Sequence, residues 1–224
     1  MCAIVNPART ETVVGAQSES AEFLDAILRG DQRAALKVAR GFLDRGLPYL
    51  YERIVQPALE EVGRLWYQNR ISIADEHLAT ATTQSALASL YPDVPWPVRG
   101  PKAIVACVEG DRHAIGARMV ADLLALNGWE EHFLGADTPL DTLVCKVAAI
   151  QPVFVALSIT LPSLLPSARA GIERLKVEAP AVRVLVGGRA LAGLTEPLRT
   201  LPADAWAPSA TKATDVARSW KLAT

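Results

Sequence analysis

Of the three histidines in the 224-residue chain, His113 has the most informative neighbours. It lies in EGDRHAIG, with Asp111 two residues before it and Gly116 three residues after. An imidazole at a turn can ligate a metal, and a carboxylate two residues away can accept a hydrogen bond from its distal ring nitrogen. That bond fixes the tautomer and raises the basicity of the ligating nitrogen. Gly116 allows a bulky planar ligand to approach the backbone. The same letters also fit an ordinary loop with a helix-capping Asp and an exposed His. A second constellation is Trp66 followed, after nine residues, by Glu76 and His77. Read alone, it also fits a buried helix-end tryptophan and two solvated polar residues. His132, inside the apolar stretch EEHFLG, is read as structural or surface, and Trp96, Trp129, Trp206 and Trp220 as core or interface aromatics. No general acid–base pair or nucleophile constellation stands out, so no substrate turnover is expected.

The elements that must position these residues follow from periodicity. Residues 1–20 give no periodic signal and are read as an arm. From Ala21, helical spacing of Phe23, Leu24, Ile27 and Leu28 stops at Gly30, and Asp31 can cap a second helix that ends at Gly46. A third helix runs from about Pro48 to Asn69 with a kink expected at Pro57. A fourth runs from about Ile73 to Leu90, with small side chains at Ala79, Thr80, Thr82, Thr83, Ser85, Ala86 and Ala88. Four helices with short connections suggest an antiparallel bundle over 21–90. The proline-rich segment YPDVPWPVRGP cannot continue a helix, and residues 91–100 are read as a linker.

Beyond the linker, KAIVACV, EEHFLGA, PVFVALSI and VRVLVG read as buried strands alternating with amphipathic helices, and DAWAPS as a short fifth strand. That alternation predicts a doubly wound parallel sheet over 101–224, of which the flavodoxin-like strand order is the simplest, with a ligand site beyond the carboxyl ends of the strands. The expected fold is therefore α/β, a four-helix bundle followed by a flavodoxin-like domain.

Composition sets the outer limits. Half the residues are hydrophobic, 21% are charged and the net charge is −1, which excludes a disordered chain and offers no basic footprint for nucleic acid. Cys2, Cys107 and Cys145 have no metal-type spacing, and a cytoplasmic location is expected. Neither a signal peptide nor a membrane span is legible.

The DxHxxG spacing of Asp111, His113 and Gly116 resembles the motif by which cobalamin-binding domains supply a histidine as lower axial cobalt ligand in place of the cofactor's own dimethylbenzimidazole. Two further matches follow in order. Ser158 in ALSIT, with Thr160 nearby, corresponds to the family's nucleotide-tail serine, and Gly187 and Gly188 in VLVGGRA to its double glycine. LGADTP resembles a stretch that faces the corrin, although Asp137 can equally cap the next helix.

The Wx9EH pattern resembles the cap of the light-responsive CarH repressor family. That resemblance implies that Trp66 packs where an adenosyl group sits over cobalt, with Glu76 and His77 near the upper face. His77 becomes a possible upper ligand once the adenosyl group is lost. The implied cofactor is cobalamin, most readily adenosylcobalamin, and some related modules hold a bilin as a second chromophore. The CarH repressors carry an N-terminal DNA-binding domain. Only about 20 unpatterned residues precede the bundle in this sequence, so direct DNA binding is not expected, and output is expected through a protein partner or self-association. The leading expectation is a cobalamin-based light sensor, with a corrinoid carrier for methyl transfer as the alternative.

Overall fold

The computed structural model describes residues 19–221, so most of the expected arm, and Cys2 with it, lies outside the described residues. Contacts divide the chain into two compact units, Met1–Val94 and Pro95–Thr224.

The first unit is built from four helical runs. Helix α1 (Ala21–Leu28) buries Phe23, Ala26 and Ile27. Glu19 and Ser20, expected in the arm, belong to this unit: Ser20 is buried, and Glu19 accepts hydrogen bonds from the Tyr49 hydroxyl and from Arg45 Nη1 at 2.8 Å. Helix α2 (Gln32–Gly41) starts where Asp31 Oδ1 accepts from the Ala34 amide at 3.0 Å, the cap expected of it. It ends at Gly41 rather than Gly46. Glycine is a weak helix former, Phe42 stacks on Tyr49, and a 3-10 turn at Leu43–Arg45 leads to Gly46 at φ +87°.

The third run spans residues 47–67. It comprises a short α3 (Leu47–Tyr49), a π-helical segment (Leu50–Val55) and α4 (Gln56–Tyr67). The irregularity expected at Pro57 is present as a wider, π-helical turn just upstream. Pro57 has no N–H to return to the Arg53 carbonyl, and the Gln56 amide reaches back five residues to Tyr51 O.

Helix α5 (Ile73–Ser89) opens with a capping box: the Asp75 amide donates to Ser72 Oγ at 3.2 Å, and the Ser72 amide donates to Asp75 Oδ2 at 2.8 Å. The Thr82 and Thr83 hydroxyls donate to the carbonyls of Leu78 and Ala79, so these buried polar groups are satisfied within the helix itself. The unit continues past 90. Leu90 and Val94 are buried, and Arg40 Nε donates to Asp93 at 2.7 Å, so the linker begins after Val94 rather than at 91.

The second unit is a five-stranded, all-parallel sheet in the order β2-β1-β3-β4-β5. Its strands are β1 (Lys102–Val108), β2 (Glu130–Thr138), β3 (Phe154–Ser158), β4 (Arg183–Gly187) and β5 (Ala205–Ala207). Between them run α6 (Ala114–Leu126), α7 (Leu140–Ile150), α8 (Leu165–Glu178) and the short α9 (Arg189–Ala192) and α10 (Pro197–Thr200), with α11 (Ala210–Lys221) last.

Strand alternation divides the core. Ile104, Ala106 and Val108 pack with α7 and α8 on one face, while Ala103, Val105 and Cys107 pack with α6 and α11 on the other. Trp129 is a core aromatic and the half-buried Trp220 packs against that core, each in edge contact with Phe154, at 4.9 and 5.3 Å between centroids. His132 pairs with Glu130 at 3.2 Å. Among the described residues, no helix is long and apolar enough to cross a membrane.

Candidate cofactor site

The carboxyl ends of β1, β3 and β4 bring together the residues singled out in the second unit. Cys107, Ser158 and Gly187 occupy one row of the sheet by register, and Gly187 faces Ala207. At the end of β1 the chain turns sharply through Gly110 at φ +85°, the Asp111 amide returning to Val108 O at 3.0 Å. His113 then takes the N-cap position of α6.

Asp111 is fully buried, and its carboxylate accepts three hydrogen bonds. Oδ1 accepts from the His113 amide at 3.0 Å and pairs with His113 Nδ1 at 2.8 Å, while Oδ2 accepts from the Thr160 amide at 2.6 Å. A hydrogen bond to a buried charge is worth about 1.5–3 kcal/mol, so this one side chain binds the β1 loop to the β3 loop firmly. The imidazole itself is 55% exposed. With Nδ1 committed to a carboxylate that accepts its proton, Nε2 carries the lone pair and can donate it to a metal.

Thr160 contributes its backbone N–H, a role that side-chain reasoning could not assign. Beneath the loop, Cys107 is fully buried and its thiol donates weakly to His113 O at 3.7 Å. Burial, with a smaller contribution from the Asp111 charge, pushes this thiol up to about 12.

Asp137 holds the same loop from outside and does not cap α7, whose N-cap is Pro139. Its Oδ1 accepts from the Gly110 amide at 2.7 Å, and its own amide donates to Asp111 O at 2.8 Å. Only the LGAD letters pointed to it, and they were equally compatible with a cap.

The glycines differ in kind. A Cβ on Gly116 would meet nothing within 4 Å, so this chain's own packing does not require glycine there. A Cβ on Gly188 would sit 2.3 Å from Ile159 O, and Gly188 has φ +109°, so the fold demands glycine at that position. A cavity of about 230 Å³ on the α7 and α8 side is lined by Val108, Thr138, Leu140, Leu157 and Ala168 among others, and none of the singled-out residues lines it.

In the helical unit, Trp66 lies in the last turn of α4 and Glu76 and His77 near the start of α5, so the three share one end of the bundle. The buried helix-end alternative for Trp66 fails, since the residue is 47% exposed. Glu76 accepts from the Thr80 hydroxyl at 2.9 Å and lies 3.6 Å from His77 Nε2, and the His77 side chain is 71% exposed.

The carboxyl edge of the second unit has the chemistry that suits a metal held in a planar macrocycle. Among the described residues, no group of three or more His, Cys, Asp or Glu could hold a bare metal ion. A metal whose equatorial positions are filled by its own ring asks the protein for one axial donor, and an exposed imidazole whose Nδ1 pairs with a buried carboxylate is a group of that kind.

Comparison with known proteins points the same way. Two family models, each described as a B12 binding domain, match residues 101–213 and 20–91. The HTH-type transcriptional repressor CarA of Myxococcus xanthus is 35% identical over 138 residues, covering 59% of this chain and 44% of that protein. The dimethylamine corrinoid protein 1 of Methanosarcina acetivorans is 30% identical over 169 residues, covering 73% of this chain and 76% of that protein. Among solved structures, the Methanosarcina barkeri monomethylamine corrinoid protein superposes with a TM-score of 0.75 at 21% identity, covering 91% of this chain and 98% of that one, a likeness of fold. With the sheet order, the loop held by Asp111 and both models in agreement, the chain belongs to the B12-binding domain family.

Proposed function

We propose that the chain holds cobalamin with His113 as the lower axial ligand and works as a light-responsive regulatory module, without turnover of a substrate. The observation that carries the binding mode is the Asp111 carboxylate, which engages His113 Nδ1, the His113 amide and the Thr160 amide at once. Asp111 would thereby orient the ring and keep Nε2 as the donor. Ser158, half-buried in the middle of the row Cys107–Ser158–Gly187 at the carboxyl end of β3, would offer a hydroxyl to the nucleotide tail, and Gly187 and Gly188 a wall without side chains.

Bound adenosylcobalamin would supply a weak, light-labile cobalt–carbon bond. The chain's own contribution on the upper side is Trp66, Glu76 and His77. Trp66 presents an exposed apolar ring able to exclude water, Glu76 is oriented by Thr80, and the exposed His77 can change partner. A contact present in one state and absent in the other biases the population of the two, which is how loss of an upper ligand becomes motion.

A corrinoid carrier for methyl transfer is the second reading, and it has one specific observation in its favour. The dimethylamine corrinoid protein matches along 73% of this chain and 76% of its own length, a span that includes both units. The two readings separate experimentally. Wild type, His113→Ala and His77→Ala are loaded with adenosylcobalamin in the dark, and absorption spectra are taken before and after illumination. His113→Ala is expected to lose the nitrogen-ligated spectrum, and His77→Ala to reach a different light state from wild type. Identical light-state spectra for His77→Ala and wild type would remove His77 from the mechanism. Dark acceptance of a methyl group from a partner methyltransferase would favour the carrier. An absorption band persisting after cobalamin removal would reveal a bilin.

A further inference from the structure

Strand β2 is irregular where it passes the end of β1. Val105 pairs with Phe133, Ala106 with Gly135 and Val108 with Thr138, so β2 takes two extra residues over a stretch in which β1 advances by three. Each extra residue is a bulge, and bulges re-aim side chains and bend the strand that carries them. Both are marked by left-handed backbone, Gly135 at φ +85° and Asp137 at φ +47°. Glycine adopts that conformation freely, and Asp is among the few other residues that do, its short polar side chain able to hydrogen-bond locally.

What holds Asp137 is the His113 loop. Gly110 N–H donates to Asp137 Oδ1 at 2.7 Å, and Asp137 N–H donates to Asp111 O at 2.8 Å. The backbone carbonyl bonded by Asp137 thus belongs to the residue whose carboxylate orients His113 Nδ1.

We propose that Asp137 is a positioning residue for the axial histidine. The double bulge in β2 aims its carboxylate and amide at Gly110 and Asp111, clamping the backbone on which the Asp111–His113 pair is mounted. The Asp111 side chain fixes the ring relative to the loop and ties the loop to β3 through Thr160, while Asp137 ties it to β2 on the other side. The imidazole then projects from a turn braced by both strands that neighbour β1, which makes Asp137 a specificity element for ligand geometry at cobalt. This role rests on the reading of His113 as the cobalt ligand, but the clamp itself exists without cofactor and can be measured without it.

The test uses the full chain as wild type, Asp137→Gly, Asp137→Asn and Asp137→Ala. Gly removes the carboxylate while accepting positive φ, so it isolates the hydrogen bond from backbone strain and folds even where Ala does not. Asn keeps an Oδ1 acceptor and tolerates left-handed backbone, and it should restore wild-type behaviour. Amide hydrogen exchange in the cofactor-free chain should be about tenfold faster in Asp137→Gly at His113 and Thr160, two amides that bond to Asp111 and not to Asp137. Affinity for hydroxocobalamin should fall about tenfold, with a weaker nitrogen-ligation signature on cobalt. Unchanged exchange at His113 and Thr160 in Asp137→Gly overturns the proposal. Faster exchange there, in a chain whose bound hydroxocobalamin shows no nitrogen ligand even as wild type, upholds the clamp and defeats the reading of His113.

Discussion

A buried carboxylate survives in a protein interior only when its lone pairs are matched by donors, and Asp111 has three of them at 2.6–3.0 Å. Two come from His113 and one from Thr160, so the ligand ring and the β3 loop share one electrostatic anchor. Cys107, near the carboxyl end of β1, is buried as well: with a folded value raised from 9.0 to about 12, it stays a neutral thiol where an exposed cysteine would ionise. The sign follows from linkage. The unfolded chain releases this proton near pH 9 and the folded chain only near 12, so the contribution to stability is full below pH 9 and is lost as pH rises toward 12. Urea melts at pH 7 and pH 10.5 should therefore show wild type losing more stability than Cys107→Ala, by on the order of 1 kcal/mol. Equal losses in the two proteins would mean that the Cys107 thiol is not responsible.

At the scale of elements, the two glycines flanking the carboxyl edge make contrasting demands. Gly116 stands in the first turn of α6 with nothing near its missing side chain, and glycine weakens a helix by up to about 1 kcal/mol relative to alanine. Gly116→Ala should therefore stabilise the cofactor-free protein by roughly 0.5–1 kcal/mol while weakening cobalamin binding, a combination that structural economy alone would not produce. Gly188→Ala should instead destabilise the fold by roughly 2–4 kcal/mol, because its Cβ meets the backbone of Ile159 at a positive φ. Loss of cobalamin binding in a Gly188 variant is thus no measure of the nucleotide tail. Thermal melts and cobalamin titrations of both variants check the pair, and a Gly116→Ala protein that binds cobalamin as wild type does would free α6 from the site.

The whole molecule is two cores joined by a stretch from Pro95 to Gly100 in which Val98 is 92% exposed and Arg99 is exposed as well. Proteases cut first where backbone is accessible and few contacts resist local opening. Limited trypsin digestion should accordingly cleave first after Arg99. An earlier cut at an arginine of α9 or α10, or within either core, would show that the linker is better protected than its exposure implies. Division into two units also explains why the family models match in two separate blocks, 20–91 and 101–213, and leave the linker between them unmatched.

Sequence alone determined what depends on local periodicity and side-chain type. The strand and helix alternation, the Asp31 cap and the DxHxxG pair were legible because amphipathic period, turn residues and short-range spacing are written along the chain, and the 2-1-3-4-5 order followed only as the simplest doubly wound arrangement of that alternation. The tertiary structure decided what depends on atoms distant in sequence. The sequence leaves Asp137 open between a corrin-facing stretch and a helix cap, because no local pattern distinguishes a capping Asp from one in an irregular strand, and only the pairing of β2 with β1 brings it to Gly110. The structural demand for glycine at 188 was invisible in the sequence, because the clash of a Cβ with Ile159 exists only once β3 and β4 lie side by side. Thr160 acts through a backbone N–H, which every residue but proline possesses, so its identity carried no signal. Its placement against Asp111, 49 positions away, is a property of the sheet.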